Sequence, residues 1–206
     1  MKYCVMIVFL AFFSCGNKEN VMLAKSGVTV FKDVKDLSSI YLFFRSKGND
    51  TMVEVNRKNS IISTNWIVNV DKRLPLRLVI PEIIKLQQKK RDDKAHKNEK
   101  AENYYSYADT IGKNLAFIPF TTVYYKMEKP IGTIIFFNKN NDIFIENQVY
   151  KKEMRKDLIN KVLLKDVRTT FLFRFDKDLS FGSYLQNKIF IESLKLKRKS
   201  NQEFIY

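Results

Sequence analysis

The chain has 206 residues, and its only two cysteines, Cys4 and Cys15, lie within the first fifteen. Everything after them is free of thiols. A disulfide scaffold, a cysteine zinc site and a cysteine nucleophile are therefore excluded from the body. Histidine occurs once, as His96, inside a very polar stretch, which leaves no second imidazole for a metal site and argues against a buried Ser-His-Asp arrangement. Glycine is held to 6 residues and proline to 4. That scarcity argues against glycine-rich phosphate loops and against long flexible linkers. No Asp/Glu spacing stands out as a carboxylate metal or glycosidase site. Asp92-Asp93 is flanked by Arg91 and Lys94 and reads as an ordinary charged surface.

What is present is apolar and aromatic substance in the globular range, 45% and 14% of residues. At this length roughly 70% of the unfolded surface can be buried, so the core needs no covalent or metal staple. The formal net charge is +15. Anionic lipid, nucleic acid and an anionic cell-wall polymer are physically reasonable partners for such a chain. The lysines are scattered, however, and accompany no nucleic-acid-binding signature, so a solvated basic surface is the leading reading and no nucleic acid is expected.

Residues 3–14, YCVMIVFLAFFS, form an apolar run behind Met1-Lys2. The run is too short for a finished membrane span and fits the apolar region of a secretory signal peptide. Ser14, Cys15 and Gly16 close it, and polar Asn17-Lys18-Glu19-Asn20 follows. This closure resembles the lipobox of bacterial lipoproteins, with Phe12 where that family prefers Leu. The resemblance implies cleavage between Ser14 and Cys15 and lipid attachment at Cys15. An incidental Cys15 in an ordinary secreted protein is the alternative.

Further on, alternating and apolar runs predict short strands at 27–31, 40–45, 52–56 and 65–70, the middle two joined as a hairpin through Gly48-Asn49-Asp50. A helix is expected to about residue 90, starting near Leu78 so that Pro81 falls in its first turn. Residues 85–100 carry seven basic and three acidic side chains and make the best candidate boundary. Strands are expected at 103–108 and 115–127. Tyr104, Tyr105, Tyr107, Tyr124 and Tyr125 there read as half-buried sheet positions, or else as a surface for stacking on sugars or bases. A hairpin at 131–146 turns on Asn138-Lys139-Asn140-Asn141-Asp142. A helix over about 149–164, a strand at 170–175, a helix over about 181–196 and a last strand at 203–206 complete the chain. The expected organisation is a signal peptide (1–14), a lipid-anchored tether (15–27), a first α+β half (28–92), a polar linker (93–103) and a second α+β half (104–206).

One pattern occurs twice. Residues 64–86, TNWIVNVDKRLPLRLVIPEIIKL, align with residues 169–196 on Asp71 and Asp176. Thr64 falls on Thr169, Trp66 on Phe171, Lys72 on Lys177 and Leu74 on Leu179. Asp71 and Asp176 each end a strand and can cap the helix that follows, and Gly182 is read as freeing the backbone at the turn. The order in the second half, with IIFFNKNNDIFIENQVYKKEMRKDLINKVLL followed by FLFRFDKDLSFGSYLQNKI, resembles the periplasmic domain of the ExbD/TolR family. The resemblance covers 131–206 and implies an α+β fold of mixed sheets packed with helices, with one clear β-hairpin-α-β-α-β module and, in the alternative, two in tandem. It also implies contact with partner proteins or the cell wall. The membrane helix whose carboxylate serves proton flow in that family has no counterpart after the signal peptide.

The reading that follows is a non-enzymatic cell-envelope lipoprotein, without cofactor, facing the periplasm or the cell exterior. It would bind an envelope protein or peptidoglycan, with an accessory role beside an ExbB/ExbD- or TolQ/TolR-type energy-transducing complex among the readings. The alternatives are a periplasmic anionic-glycan binder and, less favoured, an enzyme on carbohydrate or lipid.

Overall fold

A computed structural model describes residues 20–95, 98–145, 148–154, 169–194 and 199–206. Ser14, Cys15 and His96 lie outside them. The chain is α+β, with two mixed six-stranded sheets. The first sheet holds β1 (Lys25–Ser26), β2 (Leu37–Lys47), β3 (Asp50–Asn56), β4 (Asn65–Val70), β5 (Asn103–Asp109) and β6 (Asn114–Pro119), with helix α1 (Leu76–Asp92) between β4 and β5. The second holds β7 (Tyr124–Lys126), β8 (Ile134–Phe137), β9 (Ile143–Ile145), β10 (Gln148–Tyr150), β11 (Phe171–Phe175) and β12 (Lys199–Ile205), with helix α2 (Phe181–Ser193) between β11 and β12.

Each sheet contains the same unit. An antiparallel hairpin (β2–β3, β8–β9) is followed by a strand parallel to its first arm (β4, β11), then a helix, then a further parallel strand (β5, β12). The spatial orders are β3-β2-β4-β5 and β9-β8-β11-β12. Turn chemistry sets both hairpins. Gly48 takes φ +60° in the β2–β3 turn, and in the β8–β9 turn the Asn138 side chain accepts from the backbones of Asn140 and Asp142 while Asn141 takes φ +67°. The units differ at the edge, where β6 runs antiparallel to β5 but β7 runs parallel to β12. In addition, β1 lies along the far end of β5, beyond the residues that pair with β4.

One continuous core joins the two sheets. It runs from Ile40, Leu42, Val68 and Val70 through Val79 and Ile83 of α1 to Leu185 and Ile189 of α2 and Phe137, Phe173 and Phe175. The opposite face of the first sheet is covered by residues 27–36. Phe31 exchanges two backbone hydrogen bonds with Phe117 there, and Val34 packs on Ile67 and Tyr104.

Several expectations shift. Helix α1 begins at Leu76, so Pro81 sits inside it, where it supplies no N–H to the Arg77 carbonyl. The first edge strand is Lys25–Ser26 rather than 27–31, because residues 24–26 bond to Ala108 and Thr110. The stretch 115–127 breaks into β6 and β7 at residues 120–123, and the sheets change over there. The polar stretch 93–103 leads from α1 into β5, since two parallel strands such as β4 and β5 need a crossover of this kind. Val149 and Tyr150 belong to β10, and a single 3-10 turn follows at Lys152–Met154. The rest of the helix expected over 149–164 lies outside the described residues.

Candidate functional site

The two turns that carry the sequence repeat meet each other. Leu76 N–H donates to the Leu179 carbonyl (3.0 Å) and Phe181 N–H to the Leu74 carbonyl (2.7 Å). Arg77 N–H donates to Lys177 (2.7 Å) and Gly182 N–H to Lys72 (2.9 Å). With Asp71 aligned on Asp176, each bond is the counterpart of the other in its pair, so the repeats clasp about an approximate two-fold. Gly182 lies in the first turn of α2 with no positive φ, so backbone freedom is not its role. A Cβ there would stand 3.0 Å from the Lys72 Cβ and 3.2 Å from its carbonyl oxygen. Its absence lets the helix approach the opposite turn.

Neither repeat aspartate caps a helix. The cap of α1 is Pro75, without a side-chain bond, and that of α2 is Ser180, whose hydroxyl accepts from Ser183 N–H. Asp176 accepts from Asp178 N–H within its own turn (2.9 Å). Asp71 is fully buried and accepts from Met22 N–H (3.2 Å), Arg73 N–H (3.0 Å) and the Arg73 guanidinium (2.9 and 2.8 Å). Burial acts to raise its pKa, but the Arg73 and Met22 donors outweigh that and hold the carboxyl below its ordinary value. The Met22 carbonyl also accepts from Lys72 N–H (2.8 Å). Asp71 thus seats the incoming chain on the body at Met22, earlier than a tether running to residue 27 would have it.

A chain of buried polar groups crosses the core between the halves. Tyr184 donates to Glu203 Oε2 (2.6 Å), and Lys188 Nζ reaches Oε1 (2.5 Å). The hydroxyls of Tyr125 and Tyr184 are 3.0 Å apart and those of Tyr105 and Tyr125 are 2.9 Å apart. With the Tyr184 proton committed to Glu203, the remaining protons must point along the chain toward the carboxylate. Burial first, with the Glu203 carboxylate adding to it, pushes all three tyrosines well above their ordinary pKa; the neighbouring hydroxyls raise Tyr105 and Tyr184 further but act to lower Tyr125. These groups come from β5, β7, α2 and β12, so the network ties the sheets together. No periodicity announces it, because its members are far apart in sequence.

Lys90, at the end of α1, is the other buried cation among the described residues. It donates to the carbonyls of Thr64 (2.9 Å) and Glu102 (3.3 Å) and to Asn103 Oδ1 (3.0 Å), and it lies 4.9 Å from the Trp66 ring centroid. Burial lowers its pKa to about 8. It borders a 130 Å³ cavity with Gln87, Asn103 and Thr121, yet its three protons are committed to the protein. Its role there is to clamp the helix end to the starts of β4 and β5.

Of the five tyrosines considered for stacking, Tyr104, Tyr105, Tyr107 and Tyr125 are buried, and Tyr124 is 54% exposed under the Arg91 guanidinium. They form no aromatic platform. On the outer face of the second sheet, Phe136 and Phe144 line two adjoining open grooves of about 490 and 600 Å³; Arg174 lines the first, stacked 4.1 Å over Phe136 and, like Phe136 and Phe144, half-buried. Among the described residues no group of three or more His, Cys, Asp or Glu side chains could hold a metal ion, and no helix is long and apolar enough to cross a membrane. No family model, curated protein or solved structure matches the chain.

Proposed function

We propose that this chain is a non-enzymatic cell-envelope lipoprotein, anchored through Cys15, whose body binds an envelope protein or the cell wall in the manner of an ExbD/TolR-type periplasmic domain. The observation that carries the reading is the hairpin-strand-helix-strand unit, present in both halves in one spatial order and clasped at corresponding turns. Such a body offers open sheet surface for a partner, while its buried polar groups are spent on joining its own parts. The lipobox-like Ser14-Cys15-Gly16 supplies the anchor. Stable membrane residence takes more than one acyl chain, which amino-terminal and thiol acylation at Cys15 would provide. A role beside an ExbB/ExbD- or TolQ/TolR-type complex fits this reading. An anionic-glycan role now leans on the net charge of +15 rather than on the tyrosines, most of which are buried.

The test is growth with an alkynyl fatty acid, followed by purification. Label should appear on the wild-type chain and vanish in Cys15→Ala. Label persisting in the variant would overturn the anchor. Incubation with purified peptidoglycan at low and raised salt then separates the binding modes. Retention that disappears with salt indicates the polyanion, and no retention at any salt indicates a protein partner.

A further inference from the structure

The residues that follow the anchor run straight to a small apolar tip. From Met22, seated on Asp71, the chain passes along β1 to Ser26, beside the end of β5. There Ile111 is 77% exposed, Val28 50%, Met22 45% and Leu115 44%. Ile111 stands on the β5–β6 turn, and a Cβ on Gly27 would come within 2.9 Å of its Cδ1, so the turn and the 27–29 segment form one surface. The turn is rigid. The Asp109 carboxylate accepts from Ile111 N–H (2.9 Å), Gly112 N–H (3.0 Å) and the Thr29 hydroxyl. Gly112 leaves room for that carboxylate, since a Cβ would fall 2.7 Å from Asp109 Oδ2. Asp109 is itself buried, so the exposed charges on 22–29 and 110–113 are those of Lys25 and Lys113, with no acidic side chain among those residues. Exposed aliphatic side chains framed by lysines suit the boundary between acyl chains and anionic headgroups.

We propose that this tip, Val28 and Ile111 with Lys25 and Lys113, rests on the surface of an anionic bilayer and fixes how the body stands on its membrane. The proposal rests on the lipid-anchor reading. Seven residue steps lead from Cys15 to Met22, a reach of at most about 25 Å. Val28 of the tip is six residues further along the chain, at most about 22 Å. The anchored chain therefore keeps the tip within touch of the headgroups, and association becomes intramolecular, so a few apolar groups suffice.

The thiol-free body makes the test direct. Membrane-extracted chain carrying Ile111→Cys, in which processing has removed Cys4 and acylated the Cys15 thiol, is labelled at 111 with an environment-sensitive fluorophore and reconstituted into vesicles of phosphatidylethanolamine and phosphatidylglycerol. Ile61→Cys serves as the control, being 60% exposed in the connection that precedes β4, at the opposite end of that strand from Met22. The expected result is a blue shift and quenching by headgroup-region spin labels at position 111 but not at 61, lost when Lys25 and Lys113 are both changed to Glu. A floating protein with an unshifted label at 111 would overturn the tip while leaving the anchor intact. A shift without vesicles that grows with protein concentration would assign the surface to a second copy and overturn the proposal. Failure of the full chain to float would overturn the anchor and the tip together, and it is read from flotation rather than from the label.

Discussion

Gly182 shows how a single missing side chain sets the join between the repeats. In an unconstrained helix, Gly→Ala gains up to about 1 kcal/mol. Here the new methyl meets Lys72 at 3.0 Å, so Gly182→Ala should instead destabilise by about 1–3 kcal/mol, lowering the midpoint of a urea titration. A gain in stability would remove the close-approach argument. The Lys188–Glu203 pair calls for a different outcome. Removing one partner leaves a buried charge, so Lys188→Met and Glu203→Gln should each cost about 3–5 kcal/mol, and the double change less than their sum. Additive losses would mean the groups do not couple. Lys90 gives a pH signature. Its folded pKa of about 8 is below the unfolded value of 10.5, so between those values the unfolded chain holds the extra proton and stability rises with pH. The stability of wild type relative to Lys90→Met should therefore increase from pH 7 to pH 9.5, as measured by denaturant midpoints. A flat difference would contradict the burial of the ammonium. These side chains were legible in sequence only as residue types. Nothing local to Gly182 or Lys90 reveals what lies across from it.

At the scale of elements, most of the hairpins and strand-helix units could be read in advance, because period-two and near-helical patterns and turn residues such as Gly48 and Asn138 are local signals. The two aspartates were legible as strand ends but not in their roles. A cap needs the side chain aimed at the following helix, and Asp71 is instead drawn to Arg73 and to Met22, which is remote in sequence. Tyr105 and Tyr125 read as half-buried, and their full burial comes from α2 and β12 closing over them. That closure has its own consequence. Tyr105, Tyr125 and Tyr184 have folded pKa values raised above the unfolded value of 10. Their stabilisation is complete below pH 10 and is lost as pH rises beyond it, because the native state retains protons the unfolded chain gives up. With three such groups the loss approaches roughly 4 kcal/mol per pH unit. Tyr184→Phe removes one titrating group and should make the alkaline decline shallower, measured by circular dichroism above pH 10.

At the scale of the whole molecule, the sequence repeat was visible from residues 64–86 and 169–196, but its consequence was not. Parallel pairing between β4 and β5 spans the entire α1 crossover, and no composition shift marks where the first sheet ends. The polar stretch at 93–103 therefore looked like a boundary although the first sheet continues beyond it. The reciprocal bonds between residues 72–77 and 177–182, the shared core and the Tyr–Glu–Lys network make the two halves one cooperative body. A body of this build presents a single continuous surface rather than two modules on a flexible link. Differential scanning calorimetry of the chain tests this most directly. The account predicts one transition whose calorimetric and van't Hoff enthalpies agree for the full chain. Two separate transitions, each sized for half the molecule, would contradict it.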